Sequence, residues 1–250
     1  PHTHTAILLH GRGSTAKEFA DDLLTLPLAN GQTLPDRLPS WRLVFPSARE
    51  VWSPVFQEFI PAWFEDAPSS SSSSLADPTL SLQEGEGAHD EHHLQASSLQ
   101  ESVRRLSGIL DDEIALLGGD AGRVALVGIS QGAAVGLWTL LGSGRADRVL
   151  GGFVGASGWL PFAKDVSRSL NFFSGLLSPA STSSGNVLST PVLLCHGTDD
   201  AYVDIDLGRA ARAVLTGLGM KVEWREYSGA EQEGHWFKEP EEIDDVVNFL

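Results

Sequence analysis

The sequence predicts an α/β fold, with a mostly parallel central sheet and helices on both of its faces. Short β-rich runs recur along the 250 residues at 5–9, 41–45, 123–127, 149–154, 191–195 and 221–227. Most are apolar throughout rather than alternating, the pattern of strands covered on both sides. Helical segments lie between them, as crossover connections between parallel strands require.

In chain order, the run at 5–9 leads into His10-Gly11-Arg12-Gly13-Ser14 and a helix over 15–26. The run at 41–45 precedes Trp63-Phe64 and then a segment, 66–98, that contains six consecutive serines, Ser69 to Ser74, and an acidic tract. Such composition does not offset the entropy of ordering a chain, so an exposed, flexible insertion is expected there. A helix follows over 99–117. It places Val103, Leu106, Ile109, Leu110, Ile114 and Leu117 at helical spacing, with Gly118-Gly119 as its stop. That helix is expected to pack on the sheet beside the strand at 123–127. The remaining helices are expected at 131–141, 206–218 and 241–250, with a cap or connecting segment at 164–190. No internal repeat is present, and residues 1–250 read as a single domain.

A formal charge of -16 and a pI near 4.7 oppose non-specific attraction to nucleic acid or anionic lipid surfaces. The single cysteine, Cys195, lies in the apolar run Val192-Leu193-Leu194 and reads as a buried strand residue in a reducing compartment. No stretch approaches the roughly 18 consecutive apolar residues of a spanning helix, and no leader is recognisable. A soluble, cytoplasmic protein without stable membrane insertion is expected, as a monomer or a homodimer.

The most informative stretch is Gly128-Ile129-Ser130-Gln131-Gly132, between the run 123–127 and a small-residue helical pattern. Gly-x-Ser-x-Gly between a strand and a helix is a nucleophile elbow. The glycines permit a sharp turn that brings backbone segments too close for Cβ atoms and lifts the serine hydroxyl clear of the sheet. A serine hydroxyl is a poor nucleophile at neutral pH. It needs a neutral imidazole within hydrogen-bond reach and a carboxylate to orient that imidazole.

In doubly wound hydrolase scaffolds the order is serine, acid, histidine. After Ser130 the chain offers Asp199 and Asp200 beyond one strand and His235 beyond the next. Of the eight histidines, only His235 lies downstream of both. Asp200 is preferred as the acid because His196-Gly197-Thr198-Asp199 gives the chain room to turn, with Asp199 bracing that turn and Asp204 capping the next helix. His196 reads as a core or loop residue, and His10 as one that shapes an early loop. His89, His92 and His93 read as a solvated run with Asp90 and Glu91 rather than a metal cluster. Acyl transfer also needs donors for the developing oxyanion, and the scaffold supplies them from backbone N–H groups, here those of Gln131 and Arg12.

These residues resemble the phospholipase/carboxylesterase family of α/β hydrolases, which includes the acyl-protein thioesterases. The likeness is carried by Leu8-Leu9-His10-Gly11-Arg12-Gly13, by Trp41 to Pro46 leading to Trp63-Phe64, and by Gly128 to Leu140. Ser157-Gly158-Trp159-Leu160-Pro161 and Leu194-Cys195-His196-Gly197-Thr198-Asp199-Asp200 complete it. The resemblance implies an α/β-hydrolase fold and cleavage of esters or thioesters of small molecules or acylated proteins, through an acyl-enzyme on Ser130. It implies Asp200 and His235 as the other triad members and no metal or cofactor. The alternatives are a small-molecule esterase or lactonase without protein deacylation, and a non-catalytic protein of the same fold. Trp52, Phe56, Trp63 and Trp159 are expected either to line an acyl pocket or to pack in the core.

The chain departs from the family pattern at Arg12, where an apolar residue is usual, and at Gly13-Ser14, where Gly-Asp is usual. A cation at the site rim would either favour anionic substrates or point to solvent. The region after Trp63-Phe64 is longer than usual, and the loop 229–234 before His235 is extended.

Overall fold

In the computed structural model the described residues are 2–53, 56–65, 89–142, 148–163 and 187–250. The strands are β1 (His4–Leu9), β2 (Trp41–Val44), β3 (Arg49–Ser53), β4 (Glu58–Ala62), β5 (Val124–Ile129), β6 (Gly152–Ala156), β7 (Val192–Gly197) and β8 (Val222–Tyr227). Six of them form a parallel sheet in the order β2-β1-β5-β6-β7-β8, and β3 and β4 form a separate antiparallel pair. The helices are α1 (Ala16–Leu23), α2 (Leu34–Arg37), α3 (His89–Leu116), α4 (Gln131–Gly142), α5 (Ile205–Gly217) and α6 (Glu241–Phe249).

The inner strands β5, β6 and β7 are buried at every position, as continuous apolar runs require. Successive side chains on a strand point to opposite faces, so each strand feeds two cores. Ile7, Leu9, Leu126, Phe153 and Leu194 join α3, α4 and α5 on one face. Ala6, Leu8, Val127, Val154 and Cys195 join Phe19 and Leu23 of α1 and Ile243, Val246 and Val247 of α6 on the other. The α/β architecture with helices on both sides is therefore as expected.

Several elements differ from expectation, among them α2, which was not anticipated, and β6, which spans 152–156 rather than 149–154. Helix α1 starts where Thr15 and Glu18 form a reciprocal capping box, and it stops at Leu23 rather than at residue 26. Helix α3 starts at His89 rather than at residue 99, so the last part of the expected insertion is helical. The apolar stripe simply continues upstream, with Leu99 buried one turn and Ala96 two turns before Val103. The histidine-rich run 89–93 thus belongs to the first turns of a helix. Residues 66–88, and most of the expected cap at 164–190, lie outside the described residues.

The β3–β4 hairpin was not expected at all. β3 mixes charged and apolar residues, and the apolar run of β4 contains Pro61, which argues against a strand. What holds the pair is cross-strand contact, with Trp52 opposite Phe59 in edge-to-face geometry at 5.3 Å. Among the described residues no helix is long and apolar enough to cross a membrane.

Glu242, in the first turn of α6, is only 3 % exposed, and its Oε2 accepts from Lys238 N at 2.9 Å. Burial pushes its carboxyl up to about 7 from an ordinary 4.5, and the nearby Asp245 pushes the same way. Between those two values the folded chain keeps a proton that the unfolded chain has released. Stability therefore falls as pH rises through that window and levels off above it. At about 1.4 kcal/mol per pH unit, the loss is roughly 3 kcal/mol. Glu242→Gln is expected to match the native protein in urea denaturation at pH 5 and to exceed it at pH 8. Equal differences at both values would show that Glu242 is not the titrating group.

Candidate active site

Ser130 occupies the turn between β5 and α4 with φ 56°, a left-handed conformation that costs a non-glycine residue about 1–3 kcal/mol. It persists because the surroundings over-determine it. The Ser130 N–H donates to Ala156 O at the end of β6, at 2.9 Å. A Cβ on Gly132 would sit 2.3 Å from Leu9 O, and one on Gly128 would sit 2.6 Å from the Gly132 carbonyl. Helix α4 can therefore approach the ends of β1 and β5 this closely only with glycine at both positions. The elbow is formed as its sequence implied.

The Gln131 side chain, 1 % exposed, has a structural task that sequence reading missed. Its Oε1 accepts from Trp63 N at 2.7 Å and its Nε2 donates to Phe64 O at 2.9 Å. This ties the start of α4 to the chain leaving the hairpin. Only the proximity of two segments 67 or more residues apart makes the role visible, and nothing in either segment signals it.

The loop after β1 lies against the elbow, where a Cβ on Gly11 would come within 3.4 Å of Ser130 Cβ. His10, fully buried, shapes it as expected. Its Nδ1 donates to Gly11 O at 2.7 Å while its Nε2 accepts from Ala48 N at 3.0 Å, a pairing that requires the neutral tautomer. Burial holds His10 below the ordinary imidazole range, which maintains that state. Trp63 Nε1 donates to His10 O at 2.8 Å and Gly13 N donates to Pro61 O at 2.7 Å. The Arg12 side chain is partly buried and reaches toward the hairpin. Its Nη2 donates to Ser53 Oγ on β3, at 3.3 Å.

The loops after β7 and β8 bring Asp200 and His235 together. His235 Nδ1 donates to Asp200 Oδ2 at 2.8 Å, and Asp200 Oδ1 accepts from the N–H groups of Tyr202 and Val203, both at 2.9 Å. Burial pushes the Asp200 carboxyl up, but the His235 contact and the two backbone donors outweigh it and leave Asp200 below the ordinary carboxylate range.

Of the neighbouring aspartates, Asp204 takes the capping role its position implied, whereas Asp199 ties its loop to the one before His235 instead of bracing its own turn. Asp199 Oδ2 accepts from Gly229 N at 2.8 Å, and Asp204 caps α5 through Asp206 N. His196 is buried, with Nε2 donating to Val203 O at 2.9 Å and lying 3.5 Å from Asp200 Oδ2. The extended loop before His235 packs onto the acid loop, with Ala201 N donating to Glu233 O at 3.0 Å. Gly234, at φ 84°, comes so close that a Cβ there would meet Asp199 O at 2.6 Å. The Tyr202 ring lies 5.3 Å from the imidazole.

Ser130, Asp200 and His235 all follow the C-terminal ends of sheet strands, the edge where open parallel sheets place their ligand sites. The aromatic residues expected near an acyl group separate. Trp63 is 2 % exposed and works as a buried clamp, and Trp159, also in the core, packs edge-to-face on Phe64. Trp52 and Phe56 are half or more exposed on the hairpin. Trp63 and Trp159 thus take the core alternative.

Residues 86–250 match the model of the phospholipase/carboxylesterase family. The chain belongs to that family. Over its full length it is 30 % identical to acyl-protein thioesterase 1 of Yarrowia lipolytica, spanning 91 % of that protein. It is 32 % identical to the carboxylesterase SOBER1 of Arabidopsis thaliana over 136 residues, 54 % of this chain and 52 % of that one. Among solved structures, acyl-protein thioesterase 2 of Zea mays superposes with TM-score 0.68 at 26 % identity, over 99 % of this chain and 92 % of that one. Arabidopsis SOBER1 superposes with TM-score 0.69 at 24 % identity, over 100 % and 97 %. The family model begins within the segment before α3, whereas the Yarrowia relative also spans the loop after β1 and the hairpin.

Proposed function

We propose that the chain is a serine hydrolase that cleaves carboxylic esters or thioesters through an acyl-enzyme. His235 Nε2 takes the proton from Ser130 Oγ as that oxygen attacks the substrate carbonyl. Asp200 holds the proton on His235 Nδ1 and offsets the charge of the imidazolium. The N–H groups of Arg12 and Gln131 receive the tetrahedral oxyanion, the latter at the positive end of the 12-residue helix α4. His235 then returns its proton to the leaving alcohol or thiol. Deacylation repeats the sequence with water in place of the serine, releasing the carboxylic acid.

The observation that carries this reading is the 2.8 Å Asp200–His235 pair at the same sheet edge as a serine held at φ 56°. The thioesterase and carboxylesterase names of the relatives support both acyl classes as substrates. The lone, buried thiol of Cys195 supports a reducing, cytoplasmic setting. A fluorophosphonate probe is expected to label the native protein once, at Ser130, with parallel loss of turnover on p-nitrophenyl esters and acyl thioesters. Folded protein that turns over neither substrate and takes no label would refute the proposal.

A further inference from the structure

We infer that the Arg12 side chain is a positioning residue, which clasps the β3–β4 hairpin and thereby aims its own backbone N–H at the oxyanion. This inference rests on the serine-hydrolase reading above.

The loop carrying Arg12 is short and glycine-flanked, so by itself it is free to take many conformations. An oxyanion donor is effective only if it is held in place before charge develops, with no reorganisation at the moment of reaction. In this protein the holding is done from the hairpin side. Gly13 N bonds to Pro61 O of β4, Trp63 bonds to His10 O, and Ala48, just before β3, bonds to the His10 ring. Those three contacts grip the residues on either side of Arg12. A further contact comes from Arg12 itself, whose Nη2 donates to Ser53 Oγ.

Ser53 is suited to that task. It is fully buried at the end of β3, and the same hydroxyl oxygen also accepts from Phe56 N at 3.4 Å, so it lies where the strand turns into the hairpin loop. A hydrogen bond from a charged donor is stronger than a neutral one, and burial of its acceptor lessens its screening by solvent. An apolar residue at position 12 has no means of making it. The arginine thus gives this chain a polar link between the hairpin and the oxyanion loop.

The test is a double-mutant cycle with Arg12→Leu, Ser53→Ala and their combination, plus Arg12→Lys as the conservative variant. Steady-state kinetics on a p-nitrophenyl ester are paired with the affinity of a trifluoromethyl ketone, whose tetrahedral adduct carries the oxyanion. Arg12→Leu is expected to lower kcat about tenfold with KM nearly unchanged, the size of effect that a slightly displaced donor produces. Ketone affinity should fall in parallel, and Arg12→Lys should restore part of both. Ser53→Ala should lose at least as much as Arg12→Leu, since it also removes the Phe56 contact, and the double variant no more than Ser53→Ala alone, because the Arg12 contact is already gone.

Thermal melting separates this from a purely structural role. A variant with lowered Tm but native kcat and ketone affinity would overturn the inference, as would additive losses in the double variant. Native protein that fails to label with the fluorophosphonate would instead overturn the hydrolase reading. Normal labelling with an unaffected Arg12→Leu variant would remove this inference alone.

Discussion

Ser130→Ala is expected to abolish ester turnover, with a loss of about 10⁴- to 10⁶-fold in kcat, and to abolish fluorophosphonate labelling without unfolding the protein. The magnitude follows from how triads behave as units. Without the serine there is no covalent step, and the residual rate comes from binding and the oxyanion donors alone. The fold should survive because Oγ has no part in the backbone bonds that hold the turn, which run from Ser130 N to Ala156 O and from Ala134 N to Ser130 O. A second substitution checks the conformation itself. At φ 56° any Cβ is strained and glycine is not, so Ser130→Gly should be more stable than Ser130→Ala by about 1 kcal/mol. In a chain of this size that corresponds to a rise of about 2–4 °C in Tm. An alanine variant retaining native turnover would place the nucleophile elsewhere.

Asp200→Asn is expected to lower kcat by about 10⁴ at neutral pH, through tautomer reversal rather than loss of structure. The orientation of the new amide is dictated by its partners. The Oδ1 position faces two backbone N–H donors, from Tyr202 and Val203, so the asparagine carbonyl oxygen must remain there. The amide NH₂ then faces His235 Nδ1, which has to accept, and the imidazole proton moves to Nε2. An imidazole in that state has no lone pair with which to take the serine proton. Asp199→Asn is the control. Its contact is with Gly229 N, which an asparagine carbonyl also serves, so turnover should stay close to native. If Asp199→Asn were the crippled variant and Asp200→Asn the active one, the acid would be misassigned.

Much of this arrangement is legible from one-dimensional pattern. Ser130 announces itself because the turn's geometry restricts the flanking residues to glycine, and that restriction is written locally. The edge strands β2 and β8 mix charged and apolar residues, but the four inner strands are legible for a related reason. Burial on both faces requires uninterrupted apolar residues, and such runs contrast with the polar helices between them. The preference for Asp200 over Asp199 and Asp204 follows from chain length alone, since a turn must be completed before a side chain is presented.

Other features have no local signature. The β3–β4 hairpin is held by Trp52 facing Phe59 and by bonds to the loop after β1, and Pro61 within β4 reads as a break rather than a strand residue. The early start of α3 is masked by a polar, histidine-rich composition, because one buried stripe suffices to hold a helix whose other faces are polar. The tasks of the Gln131 side chain, of Trp63 and of Arg12 are decided by partners far away in the chain.

The sequence by itself therefore determined the sheet, the elbow, and the order in which serine, acid and base occur. It could do so because each depends on backbone geometry or burial that constrains residues near one another. Tertiary structure alone decided which way Arg12 turns, what the Gln131 side chain holds, and which tryptophans are clamps rather than surface. Those outcomes depend on directional hydrogen bonds between segments that meet only after folding, and such bonds place no constraint on the residues beside them in the chain.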